Sequence, residues 1–118
     1  DYTVRSKVSE GLNLAGAAKL AVSETYDATG GFGSTMSSYG LPLNAASIKG
    51  TYVSAVGVNS SGQITITYNA RTGGNPSTAG QTINIFPDTS NAGSVVWDCS
   101  LAVAGGTIPA KYRPANCR

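Results

Sequence analysis

The two cysteines are the most reactive side chains of this chain, and they are placed so that they could form a disulfide. Cys99 and Cys117 bound one stretch at the C-terminus, and the 118 residues contain no other cysteine. If they pair, the connectivity is unambiguous, and closing a loop of this size contributes about 3 kcal/mol, mainly by restricting the unfolded chain. Proteins that keep such a bridge belong to oxidising compartments. The residues alone leave open whether the closed loop is a displayed surface or only secures the C-terminus.

The remaining side chains argue against catalysis. The chain has no histidine, which excludes Ser-His-Asp and Cys-His arrangements, histidine general bases and histidine metal sites. Two cysteines without histidine do not form a structural zinc site. The glycine-rich residues 30–33 are not followed by a helix with a lysine, so they indicate a turn and not a phosphate-binding loop. We therefore expect no enzyme, no cofactor and no metal.

Charge gives only a weak indication of partners. Charged residues are 12% of the chain and the net charge is +2, too little to argue for a nucleic-acid surface. The C-terminal residues carry Lys111, Arg113 and Arg118 and no acid. These cations are typical of a solvated tail, with weak attraction to anionic surfaces as the alternative. No run is long enough to span a membrane, and no initiator Met or signal peptide is present, so we expect a front end that was processed or engineered.

Residues 1–27 are predicted to form one helix, because apolar side chains recur at steps of three and four. This first stripe consists of Val4, Val8, Leu12, Ala15, Val22 and Tyr26. A second, small-residue face lies beside it and consists of Leu14, Ala17, Ala18 and Ala21. Small side chains let another helix approach closely, and an ordinary surface of high helix propensity is the alternative. Gly30 and Gly31 favour a cap at the helix end.

The rest of the chain is predicted to be a connection followed by a sheet. Residues 28–50 are rich in Gly, Ser and Asn and long for a connection, which favours a functional or packing loop. Residues 51–100 show the alternation of strands. The predicted strands are Thr51–Val58, Gln63–Asn69, Gln81–Phe86 and Ser94–Ser100, with residues 59–62 as a hairpin turn. A helix laid across such an antiparallel sheet buries both apolar surfaces. We therefore expect one α+β domain over residues 1–118.

Both ends of the chain, and the order of elements between them, resemble a type IV pilin. Residues 2–11 resemble the stretch where the pilin helix leaves its membrane-like N-terminal half. Trp97-Asp98-Cys99, followed by residues 108–117, resembles the pilin C-terminal disulfide region. The resemblance covers the whole chain in architecture but only its two ends in motif. It implies the type IV pilin fold, in which a long N-terminal helix packs on a four-stranded antiparallel sheet and residues 99–117 form a disulfide-bounded loop.

The resemblance also implies a function. Type IV pilins are structural subunits of bacterial pilus filaments that support adhesion, twitching motility, DNA uptake or phage attachment. The implied partners are other pilin subunits, a host-surface receptor or glycan, the pilus assembly machinery, and phage or DNA. The implied location is the inner membrane before assembly and the extracellular pilus afterwards. Because the hydrophobic N-terminal segment of the family is missing here, we expect a truncated, soluble domain.

Within this picture two surfaces become candidate sites. The small-residue helix face, Leu14, Ala17, Ala18 and Ala21, becomes a subunit-packing face. The disulfide-bounded loop becomes a receptor-binding or subunit-contact surface, carried by Thr107, Ile108, Pro109, Lys111, Tyr112, Arg113 and Pro114. We expect Lys111 and Arg113 to make charge-assisted contacts, Tyr112 to make an aromatic contact, and residues 105–106 to bring backbone near a partner. The alternative is that Ile108, Tyr112 and the prolines pack the tail onto the sheet.

Two other functions stay open at this point. One is a minor pilin or a secretion-system pseudopilin, although many pseudopilins replace the disulfide with a metal-bound loop. The other, from a different class, is a small secreted carbohydrate-binding module. Its binding platform would have to be built from four aromatic side chains: Tyr39, Tyr52, Tyr68 and Trp97.

Overall fold

A computed structural model describes residues 2–91 and 93–118, and it consists of one long helix packed on a four-stranded antiparallel sheet. Helix α1 spans Tyr2–Thr29. It ends where the glycines predict, because Gly30 adopts φ 76° and its N–H donates to the carbonyl of Tyr26 at 2.8 Å. Within the described residues, no helix is long and apolar enough to cross a membrane.

The sheet is the predicted meander, with strands in the order β1-β2-β3-β4. The strands are β1 (Val53–Val58), β2 (Ile64–Tyr68), β3 (Thr82–Asp88) and β4 (Val96–Asp98). The largest differences from the predicted strands are at three ends or pairs of ends: β1 begins at Val53 and not at Thr51, β3 continues past its predicted end at Phe86 to Asp88, and β4 is shorter than predicted at both ends. Beyond Ile85, β3 pairs only with β4. A proline is tolerated in such a half-paired stretch, because one side of the strand has no ladder hydrogen bond to lose.

The core lies between α1 and the inner face of the sheet. Val8, Ala15 and Val22 of the predicted stripe are fully buried, and the inward isoleucines of β2 and β3 face them. Tyr68 closes one end of this interface, because its hydroxyl donates to the carbonyl of Val8 at 2.6 Å. Gly11 sets the distance between helix and sheet, since a Cβ there would lie 2.7 Å from Cγ2 of Ile66.

The four residues of the predicted subunit-packing face do not share one environment, because α1 turns some of them toward the sheet and others toward solvent. Ala18 is buried in the core of its own chain, and Leu14 and Ala21 pack at the edge of that core. Ala17 alone of the four is exposed. The prediction is therefore wrong for Ala18: it lies three residues after Ala15 and belongs to the same inward stripe. The exposed side of the helix continues from Ala17 to Leu20, which is 61% exposed.

The connecting segment, residues 30–52, packs against the domain. It contains two short 3₁₀ helices, Met36–Tyr39 and Ala45–Ser47. Met36 and Tyr39 are buried in the core. The Tyr39 hydroxyl lies within hydrogen-bond distance of the carbonyls of Gly33 at 3.1 Å and Asn59 at 3.0 Å. The segment is thus tied to the turn between β1 and β2.

Candidate functional surface at the C-terminal loop

Cys99 and Cys117 are bonded, as predicted, and their Cα atoms lie 4.8 Å apart. We call residues 99–117 the C-terminal loop. The bond joins the residue that follows β4 to the last 3₁₀ turn of the chain, Ala115–Cys117. The C-terminus is therefore held beside the outer strand of the sheet.

Backbone hydrogen bonds strap the C-terminal loop to the beginning of β3. The N–H groups of Thr107 and Ile108 both donate to the carbonyl of Thr82, at 2.8 and 2.9 Å. The N–H of Thr82 donates in return to the Thr107 hydroxyl at 2.9 Å. Further along, the carbonyl of Ala104 accepts from the side-chain amide of Gln63 at 3.1 Å. These bonds fix the path of the loop over β2 and β3.

Gly106 makes the closest approach between the loop and the sheet. Its φ of 107° lies in the region that favours glycine. A Cβ at this position would lie 2.7 Å from the carbonyl oxygen of Thr82 and 2.9 Å from Nη2 of Arg113. The close backbone approach that we expected toward a partner therefore occurs within the chain.

Arg113 is fully buried and organises the loop from inside. Its Nε donates to the carbonyl of Ile108 at 2.8 Å, and Nη1 donates to the carbonyl of Cys117 at 3.3 Å. Both Nη atoms also lie 3.3 Å from the carbonyl oxygen of Gly105. Burial lowers the pKa of this guanidinium, yet arginine stays protonated in proteins. The prediction that Arg113 contacts a partner is wrong, because its guanidinium N–H groups already donate to backbone carbonyls of the same loop.

Tyr112 and Ile108 also point inward, with exposed fractions of 2% and 1%. The Tyr112 hydroxyl accepts from the N–H of Asn75 at 2.8 Å and donates to its carbonyl at 2.9 Å. The predicted aromatic contact with a partner is contradicted for Tyr112, because its ring is buried in the core together with Ile108 and its hydroxyl bonds to Asn75. Pro109 and Pro114 are half-buried.

The part of the loop that solvent reaches differs from the predicted one. Of the predicted set, Thr107 and Lys111 are exposed. Lys111 donates to the carbonyl of Asn75 at 2.9 Å, which uses one of its donors. Two apolar side chains that sequence reasoning missed complete the surface, Leu101 at 38% and Val103 at 55% exposure. The sequence signal that could have found them is the apolar run of residues 101–104, which lies outside every predicted strand.

The four aromatic side chains of the carbohydrate-binding alternative do not form a platform. Tyr39 and Tyr68 are buried in the core. Tyr52 and Trp97 are half-buried, and Lys7 covers the Tyr52 ring with its Nζ 5.4 Å from the ring centre. This correction removes the residues on which that alternative depended. Over residues 2–91 and 93–118, no group of three or more Cys, Asp or Glu side chains could hold a metal ion.

Comparisons with known proteins agree on one family. The family model for pilin, a bacterial filament protein, matches residues 4–118. The chain is 38% identical to the fimbrial protein EcpC of Eikenella corrodens, over all of this chain and 72% of that protein. It is 34% identical to the type IV major pilin protein PilE1 of Neisseria gonorrhoeae, again over all of this chain and 72% of the relative. A crystal structure of a Pseudomonas aeruginosa type IV pilin superposes with a TM-score of 0.73 at 30% identity, covering 98% of each chain.

Proposed function

The chain belongs to the type IV pilin family, and from that premise we propose that the exposed part of its C-terminal loop is an adhesive surface of a pilus. As a pilin, the chain is a structural subunit that assembles with other pilin subunits into an extracellular filament. The observation that carries the proposal is the display of four exposed side chains on a loop with a rigid base. They are Leu101, Val103, Thr107 and Lys111.

The rigid base reduces the cost of binding. The disulfide, the buried Arg113 fork and the bonds to Thr82 order this loop before any partner arrives. A preorganised surface loses less conformational entropy on binding. A filament also repeats the surface along its length, so weak contacts add through multivalency. The partner class is a host-surface receptor or glycan that offers an apolar face to Val103 and an acceptor or acid to Lys111.

The test is adhesion by cells whose pili carry substitutions confined to the exposed side chains. We expect Val103→Ser combined with Lys111→Ala to reduce attachment to host cells, while the amount of filament stays at the wild-type level. Leu43→Ser is the matched control, because Leu43 is 73% exposed but lies in the connecting segment. Attachment equal to wild type, with intact pili, would contradict the adhesive role.

We also propose that the chain is a major subunit, held at the inner membrane before the assembly machinery adds it to the filament. The relatives named as a fimbrial protein and as major pilins support the major role over a minor pilin or pseudopilin. In sheared filaments from the native cell, this chain should then be the most abundant protein. Membrane fractions of cells that lack the machinery should retain it. Motility, DNA uptake and phage attachment would use the same filament.

A further inference from the structure

Cationic side chains gather at the end of the domain where α1 begins. Lys49 and Arg71 are exposed and line one cleft of about 830 Å³ beside the start of β1. Ala46 and Ala70, both exposed, add apolar surface. The Glu10 carboxylate lies beside Gly50 and accepts from the N–H of Tyr52 at 3.0 Å, but it is not among the residues that line the cleft. We call this surface the basic cleft. The basic cleft lies near the beginning of α1. Its lining residue Val53 pairs across the sheet with Tyr68, and the Tyr68 hydroxyl bonds to the carbonyl of Val8 in α1.

An acidic surface lies on the outer face of β3 and β4. The pairs Phe86 with Asp98 and Asp88 with Val96 put these four side chains on one face, because directly opposite residues and alternate residues share a face. Phe86 is 39% and Val96 45% exposed. Both carboxylates accept backbone hydrogen bonds, Asp88 from Ser90 at 2.9 Å and Asp98 from Ser100 at 2.8 Å. We call this four-residue surface the acidic patch.

The two surfaces lie at opposite corners of the sheet. The basic cleft is beside the pair Val53 and Tyr68, whereas the acidic patch lies beyond the pair Ile64 and Ile85, at the other end of the strands. The turn at that other end packs toward the last turns of α1. There, the ring of Phe32 lies 2.6 Å from the position a Cβ of Gly62 would take, and 5.1 Å from the ring of Tyr26. The basic cleft therefore lies near the beginning of α1, whereas the acidic patch lies toward its end.

We propose that the acidic patch of one copy docks on the basic cleft of the next copy along the filament. The proposal rests on the proposed role of the chain as a filament subunit. Two carboxylates face two cations in this contact, and Phe86 and Val96 face the apolar part of the cleft. Because the contact joins two different surfaces at opposite corners, it does not close into a dimer and can propagate. A membrane or another anionic partner would use only the basic cleft and would leave the acidic patch unused.

A charge-reversal series tests the contact in cells that make the protein as its native host does. Lys49→Glu with Arg71→Glu, and separately Asp88→Lys with Asp98→Lys, should each reduce sheared filaments by about tenfold or more, because like charges then face each other. The quadruple variant should restore filaments, since both surfaces are reversed together. Lys19→Glu with Arg118→Glu is the control, with the same change of net charge at residues that belong neither to the cleft nor to the adhesive surface.

Carbodiimide cross-linking of wild-type filaments gives an independent reading, because it joins amines to carboxylates that touch. We expect a cross-linked dimer on denaturing gels, with Lys49 joined to Asp88 or Asp98. A thermal transition and disulfide like those of wild type would show that each reversal variant folds.

Three results would overturn the contact: filaments that tolerate either reversal, a cleft defect that the quadruple variant fails to rescue, or Lys49 cross-linked elsewhere. An unrescued defect would assign the cleft to another anionic partner. Absence of this chain from wild-type filaments would instead contradict the proposed function itself.

Discussion

The C-terminal loop and the connecting segment are both long stretches outside the helix and sheet, and they are ordered by different means. The C-terminal loop is closed by a disulfide, and the buried Arg113 donates to its own backbone carbonyls. The connecting segment has no such bond and is held by the buried side chains of Met36 and Tyr39, by the hydrogen bonds of the Tyr39 hydroxyl, and by short 3₁₀ helices. Backbone carbonyls need donors wherever water is excluded. The C-terminal loop obtains them from a buried arginine, whereas the connecting segment obtains them from the hydroxyl of Tyr39.

The largest effect should come from removing the guanidinium. Arg113→Ala leaves buried carbonyls without donors and creates a cavity, so we expect the free energy of unfolding to fall by about 4 kcal/mol. Urea unfolding monitored by circular dichroism measures it. Arg71→Ala is the control, because Arg71 is exposed and lies outside the C-terminal loop, so its replacement should lower the free energy of unfolding by about 0.5 kcal/mol or less. Equal values for the two variants would mean that Arg113 does not organise the loop.

Removing the covalent link should have the next largest effect. Replacing Cys99 and Cys117 together by serine should lower the free energy of unfolding by about 3 kcal/mol, because the unfolded chain gains the entropy of an open loop. Amide hydrogen exchange should then speed up in residues 99–117 and stay unchanged in residues 30–52. Faster exchange throughout both stretches would show that the two are stabilised as one unit. Detection of two free thiols in exported wild-type protein would contradict the bond.

The apolar anchor of the connecting segment should matter less. Met36→Ala removes a buried side chain, and we expect a loss of about 2 kcal/mol. Leu43→Ala, in the same segment but 73% exposed, should cost about 0.5 kcal/mol or less. A loss at Met36 that exceeds the loss at Arg113 would reverse the comparison, because it would make apolar burial the stronger constraint. Thermal unfolding of the two variants side by side decides this.

The smallest effect should be a loss of unfolding free energy at alkaline pH, caused by the ionisation of two buried tyrosines. Burial raises the pKa of the Tyr39 phenol, and burial also raises the pKa of Tyr68. The unfolded chain loses these protons near pH 10, while the folded chain holds them to higher pH. The stabilisation is therefore complete below about pH 10 and is lost as pH rises further. Tyr39→Phe should flatten the decline of the free energy of unfolding that begins near pH 10. An unchanged slope would contradict the contribution of Tyr39.

Much of the fold was predictable from local patterns. The helix of residues 1–27 is observed as Tyr2–Thr29, because its period and its glycine end signal are both local. The hairpin turn at residues 59–62 is observed as well, with Gly62 at φ 77° and its N–H bonded to the carbonyl of Asn59 at 3.0 Å. The strand boundaries near Pro87 were missed, since they depend on which neighbouring strand remains paired.

Four features follow from the order of residues alone: the period of the helix, the alternation of the strands, the single possible disulfide and the family resemblance at both ends. The tertiary structure was needed to show how far the buried side of α1 extends beyond the predicted stripe, since it places Ala18 in the core and leaves Ala17 outside. It also turned Arg113 inward, because the carbonyls of Gly105, Ile108 and Cys117 come together only when the loop folds over β3. The residue type determines which hydrogen bonds a side chain can make. A charged side chain such as Arg113 is buried only where the rest of the fold supplies acceptors for those bonds.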